Sequence, residues 1–110
     1  MKKLLIGMAL AFAVTATQAS EDCEAVHEFA FQVMKERQVG QTITSVIGQL
    51  PRAVDPSVWG LMTMIVYEAY EMPRNLSPDY QRAAATEFAA NWYLHCIRVT
   101  EPGALPGTTY

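Results

Sequence analysis

Two cysteines, Cys23 and Cys96, lie near the two ends of a short chain and constrain its fold more than any other feature. An even cysteine count in an exported protein indicates a disulfide. This disulfide would join residues 73 positions apart, and chain-entropy arguments give such a crosslink about 4 kcal/mol. Folded domains are typically stable by only about 5–15 kcal/mol, so the disulfide would supply a large share.

The same cysteines allow a second interpretation, because a histidine accompanies each of them. His27 follows Cys23 by four residues on the same helical face, and His95 directly precedes Cys96. Two cysteines and two histidines could form a tetrahedral zinc or copper site. However, the set lacks a closely spaced cysteine pair, and exported thiols oxidise readily. The sequence therefore favours the disulfide and predicts no metal or other cofactor.

The N-terminus has the features of an export signal. Lys2 and Lys3 precede the apolar residues 4–14, and small residues lead up to a predicted cleavage point after Ala19. The apolar stretch is shorter than the roughly 20 residues that a membrane span requires. We therefore expect residues 1–19 to be a signal peptide. The mature protein is expected to be periplasmic, or alternatively secreted, without a stable membrane anchor.

Cleavage of the signal changes the length and the net charge of the chain. The precursor has 110 residues, 8 of them basic and 11 acidic, and a formal charge of −3. Removing 19 residues and two lysines leaves 91 residues, 6 basic and 11 acidic, with a charge of −5. A chain of this size forms one domain with a thin core, which excludes a Rossmann domain or a (β/α)₈ barrel. The acidic balance argues against a nucleic-acid partner.

Apolar residues recur at helical spacing in four segments, which cover residues 20–39, 42–50, 55–72 and 77–99. Ser20 is the expected cap of the first helix, and Gly40 is its expected stop. Asp55 and Ser77 each precede a proline, which is a strong helix start. Residues 100–110 contain two prolines and two glycines without periodicity, which predicts a flexible tail.

These signals predict an all-α fold, a small bundle of about four helices over residues 20–99. The disulfide would link the first and last helices. Antiparallel packing of those helices would bring Cys23 and Cys96 to the same end of the bundle, so the pairing and the topology support each other.

The third helix is apolar on more than one face, which makes it either central in the fold or a surface for a partner. Its predicted inner stripe consists of Val58, Leu61, Met62, Ile65, Ala69 and Met72. A second stripe and its neighbours give the candidate partner-binding residues Trp59, Met64, Val66, Tyr67 and Tyr70. Aromatic and methionine side chains are enriched at interface cores. The partner would be another periplasmic protein or a second copy of this chain, and burial within the monomer is the competing interpretation.

Several polar side chains fall on the predicted inner faces. His27 and His95 would pack beside the disulfide, or they would act as pH sensors, since histidine titrates between about pH 5 and 8. The second possibility suggests an acid-responsive chaperone. Arg37, at the end of the first inner stripe, is expected to pair with Glu68 or Glu87 or to extend to water.

No constellation of residues points to catalysis. Glu68 and Glu71 could do acid–base chemistry, but nothing completes such a site, and a solvated helix face explains both. The sequence shows no phosphate-binding loop, dinucleotide glycine motif or activated serine. We therefore expect no enzymatic activity.

Three short motifs carry a family resemblance. The chain contains Arg37-Gln38-x-Gly40, then Ala69-Tyr70-Glu71-x-Pro73-Arg74, and a last helix that ends near Cys96. This combination resembles an uncharacterised group of small exported helical proteins of proteobacteria and their phages. The resemblance covers most of the mature chain and implies export and a helical fold, without any catalytic residue.

In size, export and single disulfide, the chain is also similar to periplasmic acid-stress chaperones, although only in architecture. The leading hypothesis is a non-enzymatic periplasmic protein-binding module. The alternatives are an acid-responsive chaperone and a small Cys/His metal carrier.

Overall fold

The computed structural model describes residues 15–100, and these residues form four helices. The helices are α1 (Thr15–Gln38), α2 (Ile43–Gly48), α3 (Pro56–Glu71) and α4 (Pro78–Thr100). Within this range there is no strand, so the predicted all-α fold is confirmed. Most of the predicted signal peptide and nearly all of the predicted tail lie outside the described residues.

The first helix differs from its prediction at the start and agrees with it at the end. It begins at Thr15 and runs through Ser20, so Ser20 does not cap it in this chain. No breaker separates Thr15 from Ser20, and the alanines in between favour helix. At the other end Gly40 has a φ of +100°. The Gly40 N–H donates to the Arg37 carbonyl and the Gln41 N–H to the Glu36 carbonyl, a Schellman motif that ends α1 as expected.

Side-chain caps start the later helices where the sequence predicts. The Thr42 hydroxyl accepts a hydrogen bond from the Ser45 N–H at 3.1 Å, which begins α2. The Ser77 hydroxyl oxygen accepts from the Tyr80 N–H at 3.2 Å, which begins α4. Each cap satisfies a backbone donor that has no partner within its helix.

Helix α1 is the centre of the bundle. Helix α4 packs along most of α1, and α3 packs on α1 and α2, whereas α3 and α4 make only marginal backbone contact with each other. The shared core consists of Ala30, Val33, Met34, Val46, Leu50, Ile65, Val66, Ala69, Ala85, Phe88, Ala89 and Trp92. The arrangement leaves a cleft between α3 and α4.

The Cys23–Cys96 disulfide is present and joins α1 to α4. The two Cα atoms are 5.5 Å apart, and both residues are buried. The predicted disulfide between the first and last helices is therefore confirmed. Because both sulfurs are bonded to each other, neither can serve as a thiolate ligand of the alternative Cys/His metal site.

Some residues assigned to inner stripes lie at the surface instead. Val58 is 43% exposed and Met72 is 41% exposed. Each of them lies near the end of its helix, where no neighbouring helix covers the stripe. The predictions for Ile65 and Ala69, on the same stripe, are confirmed by their burial.

A buried amide, Gln38, joins the end of α1 to the connection between α3 and α4. It is 1% exposed. Its side-chain N–H donates to the Pro73 carbonyl at 2.9 Å, and its side-chain oxygen accepts the Asn75 N–H at 2.7 Å. The Gln38 backbone carbonyl accepts from Arg74 Nε at 3.1 Å. These bonds fix where the chain turns between α3 and α4.

Arg37 and Tyr70 form the outer part of this junction. The Arg37 guanidinium donates twice to the Met72 carbonyl, at 3.0 and 3.1 Å, and lies 5.1 Å from the centre of the Tyr70 ring. The Tyr70 hydroxyl donates to the Gln41 carbonyl at 2.6 Å. The expectation that Arg37 pairs with a glutamate is wrong, because a backbone carbonyl and an aromatic face already occupy its guanidinium.

Gly40 allows Arg74 to complete the junction. A side chain at Gly40 would need a φ that L-residues rarely adopt, and its Cβ would lie 3.4 Å from Arg74 Nη2. Two of the three short sequence motifs, Arg37-Gln38-x-Gly40 and Ala69-Tyr70-Glu71-x-Pro73-Arg74, therefore meet in one structural contact.

No helix among residues 15–100 has the length and apolar character needed to cross a bilayer.

We predict that replacing both Cys23 and Cys96 by alanine lowers the free energy of unfolding by about 4 kcal/mol, because the unfolded chain regains the entropy of a long loop. Urea denaturation of the oxidised protein and of the double variant measures the difference. Reduction of the unmodified protein should give a similar loss. Equal stability in all three samples would contradict the prediction.

We predict that Gln38→Ala costs roughly 2 to 4 kcal/mol, because the Pro73 carbonyl and the Asn75 N–H lose their buried partner. The matched control is Gln32→Ala, which removes an exposed glutamine from the same helix. Denaturation midpoints should fall for the first variant and stay nearly constant for the second. Equal effects would show that Gln38 does not hold the junction.

Candidate functional site

Two of the candidate partner-binding residues are exposed, whereas the other three are buried or pack against the core. Met64 is 56% exposed and Tyr67 is 55% exposed, and both point away from the core on α3. Val66 is 0% exposed, so its assignment to a partner surface is wrong. Val66 belongs to the core, because the inner face of α3 includes it beside Ile65 and Ala69 of the predicted stripe.

Trp59 and Tyr70 lie at the border of the core and are only partly available to a partner. Both pack against the buried cluster. The Arg52 guanidinium covers the Trp59 ring at 4.9 Å, and Tyr70 belongs to the junction with Arg37. Burial raises the pKa of the Tyr70 hydroxyl, although the charge of Arg37 opposes the shift. A protonated hydroxyl suits its role as a hydrogen-bond donor to a carbonyl.

The exposed residues form one surface, which we call the α3 outer face. It consists of Gly60, Met64, Tyr67, Glu68 and Glu71, with Thr63 at its edge. These positions surround a shallow depression of about 350 Å³. A Cβ placed on Gly60 would meet nothing within 4 Å, so the glycine opens the surface without serving any contact inside the protein.

A cleft next to this face runs between α3 and α4. Met64 and Glu68 lie on one side, and Asn91, Trp92 and His95 lie on the other, around about 270 Å³. Within the described part of the chain, the Trp92 indole N–H has no hydrogen-bond acceptor. Because that nitrogen is shielded from solvent, it gives the cleft no accessible donor.

The two histidines are placed differently from each other. His27 is partly buried and contacts the Tyr93 ring edge-on, with ring centres 6.0 Å apart. His95 is exposed and contacts Trp92 edge-on at 5.5 Å. The prediction of an inner position for His95 is wrong, since the buried face of α4 passes through Trp92 and Cys96 and leaves His95 outside. The proposed pH-sensing role of these histidines, and the chaperone hypothesis built on it, stay predictions.

The acidic side chains are not grouped into a metal centre within residues 15–100. Glu68 and Glu71 are exposed on the outer side of α3. No group of three or more histidine, cysteine, aspartate or glutamate side chains in residues 15–100 could hold a metal ion. Their position on the α3 outer face gives these carboxylates a different role, which is to set the charge of that surface.

Asp55 determines where α3, and therefore its outer face, begins. Its carboxylate accepts from the Ser57 N–H at 2.8 Å and from the Ser57 hydroxyl at 2.7 Å. Pro56 occupies the first helical position, where a missing N–H costs nothing. The two hydrogen bonds from Ser57 lower the pKa of the Asp55 carboxyl below its usual value of 3.8.

Sequence reasoning found the exposed residues Met64 and Tyr67 but missed Gly60 and Gln38. Gly60 interrupts the apolar pattern of α3 without ending the helix, which is a weak signal that its position has a special role. Gln38 is part of a quoted motif, yet a polar residue at the end of a helix normally faces water. Only the contact with residues 73–75 shows its role.

Comparisons with protein families, with curated proteins and with solved structures find no match to this chain. The family resemblance carried by the three sequence motifs therefore stays a prediction.

We predict that the cap of α3 weakens at low pH. A carboxyl whose pKa is lowered by folding stabilises the folded state above the unfolded pKa, and this contribution is lost as the pH falls below about 4. Amide hydrogen exchange should show reduced protection of the Ser57 N–H below that pH. Asp55→Asn keeps a capping side chain without a titrating group and should remove the pH dependence. The same pH dependence in both proteins would contradict the assignment.

Proposed function

We propose that the protein is an exported, non-enzymatic binding module whose α3 outer face receives a helix of another protein. The observation that carries this proposal is Gly60, which lies in the second turn of α3 with open space above it. Met64 and Tyr67 follow it on the same face, one and two turns along the helix. This spacing is the pattern by which one helix presents a surface to another.

Gly60 lowers the stability of α3, and no contact within the described structure requires a glycine at this position. A glycine in a helix interior is less stable than alanine by roughly 0.5 to 1 kcal/mol. Nothing within 4 Å would clash with a methyl group at this position. A second helix that approaches closely supplies the reason for the glycine, because only a residue without a Cβ lets two backbones come together.

The charge of the face selects the class of partner. Glu68 and Glu71 flank Met64 and Tyr67, and no lysine or arginine lies among the residues that surround the depression. A basic amphipathic helix, with apolar residues between lysines or arginines, complements this pattern. A second copy of the chain would bring two more carboxylates and no cation to the same face, so we commit to a different protein as the partner.

Two further features support an exported binding module. The Cys23–Cys96 disulfide is consistent with an oxidising compartment, and together with the N-terminal signal features it favours the periplasm, with secretion as the alternative. The polar side chains Arg37, Gln38 and Arg74 donate hydrogen bonds within the structural junction, which gives them a structural role.

We predict that Gly60→Ala raises the free energy of unfolding by up to about 1 kcal/mol and weakens partner binding. The added methyl improves helix propensity while it blocks the close approach of a second helix. Gly48→Ala is the matched control, because Gly48 also has nothing within 4 Å of a built Cβ but lies on α2, away from the α3 outer face.

Binding is measured by photo-crosslinking in the expressing cell, with a photoreactive residue at position 67. The same residue at the exposed position 28 of α1 is the positional control. Mass spectrometry should identify one basic amphipathic helical segment, captured from position 67 only. This product should be reduced in Gly60→Ala and retained in Gly48→Ala.

Three results would overturn the proposal: equal capture from both positions, a crosslink only to a second copy of the chain, or an undiminished crosslink in Gly60→Ala.

A further inference from the structure

A second surface lies between the C-terminal end of α1 and the N-terminal end of α4, remote in the sequence from the α3 outer face. Phe31, Val39 and Ala85 supply its apolar lining, and Lys35 and Arg82 lie at its rim. We call this the basic pocket. Its volume is about 320 Å³, at the lower end of the range for small-molecule sites, so it suits one small ligand.

The cations of the basic pocket are engaged less within the protein than its two glutamines. Gln38 and Gln81 also line it. The side chain of Gln38 is committed to Pro73 and Asn75, and Gln81 Nε2 donates to the Asn75 carbonyl at 2.7 Å. Among the described residues, the Lys35 ammonium makes no ion pair or side-chain hydrogen bond, and no carboxylate belongs to the lining.

The two cations stand out in an acidic chain. Of the six basic residues that follow the predicted signal, Arg37, Arg52 and Arg74 are engaged with aromatic rings or backbone carbonyls. Two of the three others, Lys35 and Arg82, border the basic pocket. Arg82 lies 3.7 Å from Asp79, but both side chains are mostly exposed, and a solvated pair of this kind holds its partners weakly.

We propose that the basic pocket binds a free, single-chain amphiphilic anion, with its apolar tail against Phe31, Val39 and Ala85 and its anionic head between Lys35 and Arg82. Charge complementarity selects the head, and the apolar lining selects the tail. The proposal is independent of the α3 outer face, since the two surfaces share no residue.

The test titrates the purified, disulfide-bonded protein with decanoate below its micelle concentration, while NMR follows the backbone amides. Saturable shifts should be centred on Phe31, Lys35 and Arg82. Decyltrimethylammonium has the same tail with a cationic head, and decanol has an uncharged head. Both should bind more weakly than decanoate.

Charge reversal locates the head group. Arg82→Glu and Lys35→Glu should each weaken decanoate binding roughly fivefold to tenfold, the scale of an exposed ion pair lost and replaced by repulsion. Arg98→Glu is the matched control, because Arg98 is exposed on the last turn of α4, outside the basic pocket, and its replacement changes the net charge equally. Circular dichroism checks that each variant is folded, and Lys35→Gln supplies a milder change.

Several outcomes would overturn the proposal. Equal weakening by Arg98→Glu would show a non-specific charge effect. Equal binding of decyltrimethylammonium would remove the role of the cations. Binding to phosphatidylglycerol vesicles, with no saturable response to free decanoate, would assign the cations to a lipid surface instead.

Discussion

The buried amide of Gln38 is the interaction on which the rest of the structure depends. The chain must reverse between α3 and α4 if α4 is to return along α1, and Gln38 holds that reversal by bonding to both Pro73 and Asn75. A buried polar side chain stabilises a fold only when its hydrogen bonds are made. The Gln38 amide donates and accepts in the same short segment, so it specifies the path of the connection as well as its position.

This junction and the disulfide act at opposite ends of the same helix pair. Gln38 ends α1 near the start of α4, whereas Cys23 joins an earlier part of α1 to the last turns of α4. Two fixed points define the alignment of α4 on α1, which explains how a thin core supports a specific bundle. Helix α3 packs on α1 and α2 and makes only marginal backbone contact with α4. Its outer face and the neighbouring cleft are left uncovered for that reason.

The helices could be predicted because their signals are local in the sequence. Contacts between residues distant in the sequence could not be predicted. Asp55, Ser77 and Gly40 act on backbone groups within a few residues, so their roles follow from the sequence. The disulfide was predictable because two cysteines allow only one pairing. The buried face of α3 was not, since apolar residues surround much of that helix and only packing on α1 decides between Val66 and Met64. The role of Gln38 could not be predicted for the same reason, because its hydrogen-bond partners lie 35 and 37 positions away in the sequence.

The two glycines Gly40 and Gly60 differ in whether the fold requires them. Gly40 adopts a φ of +100° and lies under the Arg74 guanidinium, so the fold itself requires it. Gly60 lies in ordinary helix, and its removal would relieve a cost to the monomer rather than create one. The proposed function gives this glycine a role in contact with a partner. Gly60 shares one surface of α3 with the exposed Met64 and Tyr67. Under the proposed function, α3 therefore holds the core with one face and presents the other face to a partner.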